Sequence, residues 1–374
     1  MVVDNSSTDG SREYLEAKFP GVIFKWNETN AGFASANNSV CNMVKGEFIL
    51  FLNPDTILAE DCFEKCLGFL RMREACGALG VRMIDGSGKF LKESKRGFPG
   101  PAASFYKMSG LAAMFPASKT FSGYYAGHLP EKDIREVDVL AGAFLMLRKK
   151  VLDITGGFDE NFFMYGEDID LSYRVQKAGF KNYYFPTVTI VHFKGESTQK
   201  GTKLHIDRFY GAMRLFVKKH YSGNGITRIF MLLAIAVSKV LSQGKIFCRN
   251  IFTGNSVQNS GNRDTLVVAS HAYFNELIQL IKFAKDPVVI QGRVSATSHD
   301  KEASVGAVDD LPRIVVKNKS GKIIFCEESL SFKDMIGLME QLKGKIEFLF
   351  HANKSESIVG SSDKNEKGVF IAKE

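Results

Sequence analysis

The stretch FILFLNPDTIL, from Phe48 to Leu58, joins five consecutive apolar residues to Asn-Pro-Asp. The apolar run predicts a strand buried on both faces, as in a parallel sheet. Residues two apart in an extended chain point to the same side, so Asn53 and Asp55 present two oxygens together while Pro54 restricts the backbone between them. Such oxygens at the carboxyl end of a strand suit Mg²⁺ or Mn²⁺. The alternative is an ordinary turn in which Asp55 caps the next helix.

Short apolar runs and helical patterns alternate around this stretch, as in GVIFKW, SANNSVCNMV and CFEKCLGFLRM. Alternation of this kind predicts an α/β fold with a mostly parallel sheet. Residues 86–130 have no sustained period, which indicates loops and short helices over a cleft. Order returns with a strand in VDVLAGAFLMLRK, a helix from about Glu167 to Gly179, and a strand pair that ends at His192.

Residues 204–253 are helical in pattern and basic. This segment is interpreted either as a patch that contacts a membrane surface or as an ordinary amphipathic helix that closes the preceding domain. A linker is predicted at 254–263, followed at 264–374 by a smaller Rossmann-like α/β unit. That unit has Ser270, His271 and Ala272 after TLVVAS in place of a glycine fingerprint, so a regulatory or scaffolding role is expected rather than dinucleotide binding.

The composition limits the classes of function. The chain has 374 residues, enough for two compact units, and 49 Lys+Arg against 41 Asp+Glu give a net charge of +8 that favours anionic partners. No aromatic-basic motif of nucleic-acid binders is present. The cysteines show no C-x-x-C pair or zinc spacing, and no signal peptide is visible, so a cytoplasmic location is expected. The apolar run from Ile229 to Ser238 is shorter than the roughly 20 residues that span a bilayer.

Three polar segments are candidates for chemistry. DNSSTDGS offers Asp4 as an acceptor for a base or sugar edge, or is simply a capped helix start. GEDIDL places acidic residues at the start of a helix, where the macrodipole favours them, or where one of them takes a proton from an acceptor hydroxyl. His192 closes its strand either as a third metal ligand or as an ordinary polar residue.

Five segments follow one another along the chain: VVDNSSTDGS, NAGFASANN, FLNPDT, GAFLMLRKKVLDITGGFDENFFMYGEDIDLSYRVQKAGF and FPTVTIVHFKGES. In this order they resemble the family-2 inverting glycosyltransferases of the GT-A fold, and most closely the rhamnosyltransferase-like members that build bacterial surface polysaccharides. The resemblance covers about Val2 to Tyr221, so residues 1–203 are expected to form the catalytic domain. It begins after the strand and helix with which the family opens, and the catalytic domain is therefore expected to lack both.

The resemblance implies transfer of a sugar, with inversion, from a nucleotide-diphosphate sugar such as dTDP-rhamnose or a UDP-sugar to a glycan or lipid-linked glycan. A divalent metal, Mn²⁺ or Mg²⁺, is the implied cofactor, and the inner face of the membrane is an implied location. The implied roles are donor binding by Asp4, Asn30, Gly32, Asn37, Asn53, Gly142 and Ala143, metal binding by Asp55 and His192, proton abstraction by Asp168, and support by Glu167 and Asp170.

Two alternatives remain at this point. One is a catalytically impaired sugar-nucleotide-binding or scaffold subunit of a polysaccharide assembly complex, suggested by the expected lack of the first strand. The other, a dinucleotide-dependent oxidoreductase, rests only on alternating strands and helices, and the missing glycine fingerprint argues against it.

Overall fold

The computed structural model describes residues 1–100, 106, 110–193, 203–221, 225–252, 264–284, 288–297, 300, 302–344, 346–353, 355, 357–360 and 369–370, with the backbone alone at 113, 245–252 and 369–370. The strands of the first half are β1 Val2–Asp4, β2 Phe24–Trp26, β3 Phe48–Leu52, β4 Thr56–Leu58, β5 Cys76–Ile84, β6 Arg135–Glu136, β7 Phe144–Arg148 and β8 Lys181–His192. Its α-helices are α1 Ser11–Lys18, α2 Phe33–Asn38, α3 Cys62–Met72, α4 Leu111–Met114, α5 Lys149–Thr155 and α6 Glu167–Lys177.

A six-stranded mixed sheet forms the centre of the first half. Its order is β3-β7-β5-β8-β4, and β6 pairs with β8. β5 and β8 run parallel, whereas the other pairs of this sheet are antiparallel. β1 and β2 form a separate parallel pair. The predicted α/β class with a mixed sheet is confirmed, and the helix predicted near Glu167 is α6.

One prediction about strands is correct only in part and another is wrong. β3 packs on both faces but is fully buried on one: Ile49 and Phe51 are buried in one cluster, whereas Phe48 and Leu50 are partly buried against another and Leu52 is 41% exposed. The predicted strand pair before His192 is one twelve-residue strand, β8, that holds Pro186. Pro186 falls where the pairing with β5 shifts register, so its missing N–H breaks no ladder hydrogen bond.

The basic segment forms two helices, α7 Lys203–His220 and α8 Gly225–Phe252. These two helices pack against each other. The expectation that the apolar run of this segment is too short to span a bilayer is wrong for the helix as a whole, because Gly225–Gly244 of α8 is long and apolar enough to cross a membrane by length and composition. The linker predicted at 254–263 lies outside the described residues.

The C-terminal unit is a second α/β layer structure. Its strands are β9 Thr265–Val268, β10 Ile290–Ser295, β11 Ser304–Ala307, β12 Lys322–Cys326, β13 Glu347–His351, β14 Ser357–Val359 and β15 Val369–Phe370, and its α-helices are α9 His271–Ile281, α10 Leu311–Asn318 and α11 Phe332–Gln341. The order β11-β10-β9-β12-β13 is parallel throughout, and β14 and β15 add antiparallel strands at one edge. A parallel sheet with its first strand in the middle is the doubly wound arrangement that the sequence predicts.

A carboxylate of the chain itself lies at the N-terminus of α9. Oδ2 of Asp300 accepts a hydrogen bond from the backbone N–H of His271 at 3.3 Å and from Arg293, whose side chain is fully buried, at 2.7 Å. Ser270 caps the helix by accepting from the N–H of Tyr273. In dinucleotide-binding folds a phosphate takes this position, which Asp300 occupies here.

The two α/β units share one apolar core. Ala59, Ile84 and Val191 of the first unit are buried in the same cluster as residues of the C-terminal sheet and of α11. Glu60 accepts hydrogen bonds from the N–H groups of Phe332 and Lys333, at the N-terminus of α11. The C-terminal unit therefore supports the back of β4 and β8.

Candidate active site

The Asn-Pro-Asp turn is fixed by its own backbone and by β7. The N–H of Asn53 donates to the carbonyl of Ala143 at 3.0 Å, and Thr56 Oγ1 donates to the carbonyl of Asn53 at 2.7 Å. Asp55 does not cap a helix, because α3 begins seven residues later at Cys62 with Asp61 at its N-cap. The capping alternative is therefore wrong.

The three residues predicted at a metal site converge. Nε2 of His192 lies 3.2 Å from Oδ1 of Asp55 and 3.5 Å from Nδ2 of Asn53. The cause is strand pairing, because Thr56 lies opposite His192 in the β4–β8 ladder, and the N–H of Phe193 donates to the carbonyl of Asp55. Both side chains are only slightly exposed, 10% for His192 and 15% for Asp55.

A carboxylate, an imidazole and an amide form a donor set of the kind that Mn²⁺ accepts. Nδ1 of His192 is buried and has no hydrogen-bond partner within the described ranges. Those ranges contain no group of three or more His, Cys, Asp or Glu residues that could hold a metal ion. Asp55 and His192, with Nε2 of the imidazole facing the carboxylate, thus supply two protein groups of the kind that bind Mn²⁺.

A tight backbone turn precedes α6, and Asp168 lies in the first helical turn that follows it. Tyr165 and Gly166 both have positive φ, 70° and 84°. Oδ2 of Asp168 accepts hydrogen bonds from the guanidinium of Arg96 and from the N–H of Gly142, the latter at 3.3 Å, while Oδ1 accepts from the N–H of Ile169. The carboxylate is thus held in one orientation at a side-chain exposure of 14%.

One short backbone segment links the two halves of the site. Gly142 donates to Asp168, and its neighbour Ala143 accepts from Asn53. A Cβ at residue 142 would lie 3.5 Å from Cβ of Asp168, an ordinary van der Waals contact, so this position faces the predicted base closely without requiring glycine. The predicted base and the predicted metal ligands therefore lie on either side of two consecutive residues, Gly142 and Ala143.

Arg96 is the residue of this site that the sequence interpretation missed. Its guanidinium donates to Asp168 and, at 3.3 Å, to the carbonyl of Leu140. Burial opposes its charge, but Asp168 and Tyr124 more than offset this and raise the pKa of Arg96 further. The neighbouring Lys95 is also buried and donates to the carbonyls of Ala126 and Leu129.

Glu167 and Asp170 differ in their environment. Burial, together with the nearby charge of Asp168, raises the pKa of Glu167 to about 8. Burial alone would also raise the pKa of Asp170, but hydrogen bonds from His220 and Lys219 and the charge of Arg174 lower it to about 2. Asp170 has no exposed side chain, so its support is structural: it joins α6 to α7.

The loop after β1 contacts residues 30–32 through Asn5, which the sequence interpretation also did not identify as a site residue. Nδ2 of Asn5 donates to Oδ1 of Asn30 at 2.9 Å, and Oδ1 of Asn5 accepts from the N–H of Ala31 at 3.0 Å. Asp4 accepts from the N–H of Ser7 and does not cap α1, which begins at Ser11. The predicted base-binding and donor-binding segments are therefore adjacent.

Gly32 has φ 83°, and a Cβ at this position would lie 2.6 Å from the carbonyl oxygen of Phe163. The N–H of the next residue, Phe33, donates to the same carbonyl. This contact holds the start of α2 against the loop before Asp168. Asn37 donates to the carbonyl of Phe33 within α2, whereas Asn38 exchanges hydrogen bonds with the backbone of Phe158. The donor-binding role of Asn37 stays a prediction.

The model of the family described as Glycosyl transferase family 2 matches residues 1–154 of the chain. The match includes every predicted donor residue and Asp55, and it ends before Asp168 and His192.

Curated relatives extend this similarity. The N-acetylglucosaminyl-diphospho-decaprenol L-rhamnosyltransferase of Mycobacterium tuberculosis is 25% identical over 234 residues, which cover 60% of this chain and 75% of the relative. Rhamnosyltransferase WbbL of Escherichia coli is 29% identical over 172 residues, 43% of this chain and 61% of the relative.

Among solved structures, a mannosyltransferase from Pyrobaculum calidifontis in complex with GDP-Man and Mn²⁺ has a TM-score of 0.39 at 16% identity. The alignment covers 68% of this chain and 66% of that one.

Proposed function

We propose a function from the premise that the N-terminal part of the chain is a rhamnosyltransferase-like family-2 glycosyltransferase domain. The protein transfers a sugar, with inversion, from a nucleotide-diphosphate sugar to a glycan or lipid-linked glycan in the synthesis of a cell-surface polysaccharide. The proposed donor is dTDP-rhamnose or a UDP-sugar. The two relatives described above are rhamnosyltransferases, and their similarity does not favour the alternative of a nonenzymatic subunit.

The observation that carries this proposal is the position of Asp168 next to the Asn-Pro-Asp turn, through Gly142 and Ala143. An inverting transfer needs a base on one side of the reacting carbon and a leaving diphosphate held on the other. Asp168 supplies the carboxylate for the first task, and Asp55 with His192 supply metal ligands for the second.

In the proposed reaction the acceptor hydroxyl oxygen bonds to the anomeric carbon while the bond from that carbon to the diphosphate oxygen breaks. Asp168 receives the hydroxyl proton, a contribution of about 10² to 10⁴ in rate. Arg96 and the N–H of Gly142 orient its Oδ2 throughout. The divalent metal, when bound by Asp55 and His192, supplies positive charge at the departing diphosphate.

Asp168→Asn and Asp55→Ala test the two halves of the site separately. We expect Asp168→Asn to retain stabilisation by nucleotide and Mn²⁺ in a thermal-shift titration with UDP, dTDP and GDP, but to lose turnover by about 10² to 10⁴. Asp55→Ala should lose the part of the shift that depends on Mn²⁺. The matched control is Asp133→Asn, whose carboxylate forms a surface ion pair with Arg135. Near-normal turnover of Asp168→Asn would refute its role as the base.

A further inference from the structure

One face of α8 is apolar and exposed to solvent. Its large apolar side chains follow a spacing of three and four residues, which places them on one side of the helix. Each is between 50% and 75% exposed: Ile226, Ile229, Phe230, Leu233, Val237, Val240 and Leu241. The stretch Gly225–Gly244 is only 6% buried, with a mean hydropathy of 1.7.

The opposite face of α8 is attached to α7. Lys239 forms an ion pair with Asp207 at 2.7 Å, the hydroxyl of Tyr210 lies 2.8 Å from that of Ser242, and Met231 is only 2% exposed. A surface helix of a soluble domain normally turns its apolar side to the core. Here the protein-facing side combines these polar contacts with the apolar Met231 and Ile235, and a second, broad apolar side faces outward.

The two helices carry mostly positive charge, part of which is paired within the protein: Lys239 with Asp207, and Lys219 with Asp159 and Asp170. The sequences of α7 and α8 contain the single carboxylate Asp207. The cations of the two helices are Lys203, Arg208, Arg214, Lys218, Lys219, Arg228, Lys239, Lys245 and Arg249. A second copy of the chain would bring the same positive charge against itself, whereas an anionic surface would complement it.

We propose that α8 docks the protein onto an anionic lipid surface, with the apolar face inserted among the acyl chains and the neighbouring cations over the headgroups. The helix is long and apolar enough to cross a bilayer by length and composition. Because α7 contacts it along one side, it lies in the interface plane with the protein on top. The docking itself does not depend on sugar transfer; only its use, the delivery of a lipid-linked acceptor, rests on the proposed function.

Vesicle flotation of the full chain tests this inference without nucleotide or acceptor, so its result is independent of catalysis. The probes are vesicles of phosphatidylcholine alone and of equimolar phosphatidylcholine and phosphatidylglycerol. We expect preferential binding to the anionic vesicles that weakens with salt. The double variant Phe230→Gln with Leu233→Gln should lower the partition coefficient about tenfold or more, since two large apolar side chains leave the lipid.

The matched control is Ile154→Gln with Val316→Gln, which removes two side chains of comparable exposure, 63% and 70%, from other surfaces. Thermal melting of both double variants shows that they are folded. Equal binding of the Phe230/Leu233 variant and wild type would overturn the proposal. So would a concentration-dependent dimer in light scattering that the same variant dissolves, because the face would then be an interface between two copies.

Discussion

Arg96 determines the orientation of the proposed base. Its guanidinium and the Gly142 N–H share Oδ2 of Asp168, and the guanidinium side chain is only 12% exposed. An arginine fork fixes the direction of a carboxylate in a way that a lysine point charge does not. Arg96 is thus a positioning residue that acts through Asp168.

For Arg96→Lys we expect turnover to fall about 10²-fold, because a base displaced by a fraction of an ångström loses the attack geometry. The Michaelis constant for the donor should hardly change, since Arg96 contacts Asp168 rather than the Asn-Pro-Asp turn. Steady-state kinetics across a pH series distinguish this from general damage. Lys92→Ala, an exposed cation of the same segment, is the control. A change confined to the Michaelis constant would contradict the positioning role.

Glu167 makes folding stability depend on pH. Its pKa is raised to about 8 by burial first and then by the charge of Asp168, so the folded state keeps a proton that the unfolded state releases near 4.5. The stabilising effect is complete below pH 4.5 and is lost as the pH rises toward 8. We expect Glu167→Gln to gain stability relative to wild type across that window.

Urea denaturation at several pH values measures this difference. The gap in free energy of unfolding between Glu167→Gln and wild type should widen from about pH 5 to pH 8 and then level off. The exposed Glu64 provides the control through Glu64→Gln. Parallel pH profiles for wild type and Glu167→Gln would show that Glu167 is not held protonated.

At the scale of elements, the start of α2 depends on Gly32. An added Cβ would meet the Phe163 carbonyl at 2.6 Å, and φ 83° with ψ 169° is a conformation that glycine alone adopts readily. We expect Gly32→Ala to cost about 1–3 kcal/mol in free energy of unfolding and to weaken stabilisation by nucleotide. Gly68→Ala in α3, where a Cβ meets nothing within 4 Å, should be neutral or stabilising. Equal stability of the two variants would refute this role of Gly32.

Periodicity predicted the elements whose pattern is local. The helix at GEDIDL, the C-terminal alternation and the arrival of Asn53, Asp55 and His192 at sheet ends all follow from runs of adjacent residues. The errors concern neighbours that a local pattern does not contain: the end of β3 is exposed at Leu52, and Pro186 lies within a single strand because the register shifts beside it. Arg96 and Asn5 were missed because each contacts residues more than 20 positions away.

At the scale of the whole molecule, the contact between the two α/β units is close enough to test with one methyl group. A Cβ at Gly88 would lie 2.1 Å from the carbonyl oxygen of Met339 at the end of α11. Nearby, Arg82 pairs with Glu340 at 2.7 Å while its side chain is 7% exposed. The joint therefore has little free space.

We expect Gly88→Ala to lower the melting temperature by several degrees and to broaden or split a single calorimetric transition, because the units lose their fit. Two alanine variants separate the causes. Gly10→Ala has nearly the same φ, 79°, with nothing within 4 Å, and reports the cost of backbone strain alone. Gly337→Ala alters α11 itself at an open position. If Gly88→Ala melts like Gly10→Ala, the packing between the units is looser than the structure shows.

The shared core limits which C-terminal units could replace the present one. Val191 and Phe193 flank His192, and both contribute to the cluster that the C-terminal sheet completes. A protein that ended after the first unit would expose the apolar side of β4 and β8 to water, directly behind the residues proposed to hold the diphosphate. A foreign unit in place of the C-terminal one would therefore have to cover Ala59, Ile84 and Val191 with its own apolar side chains.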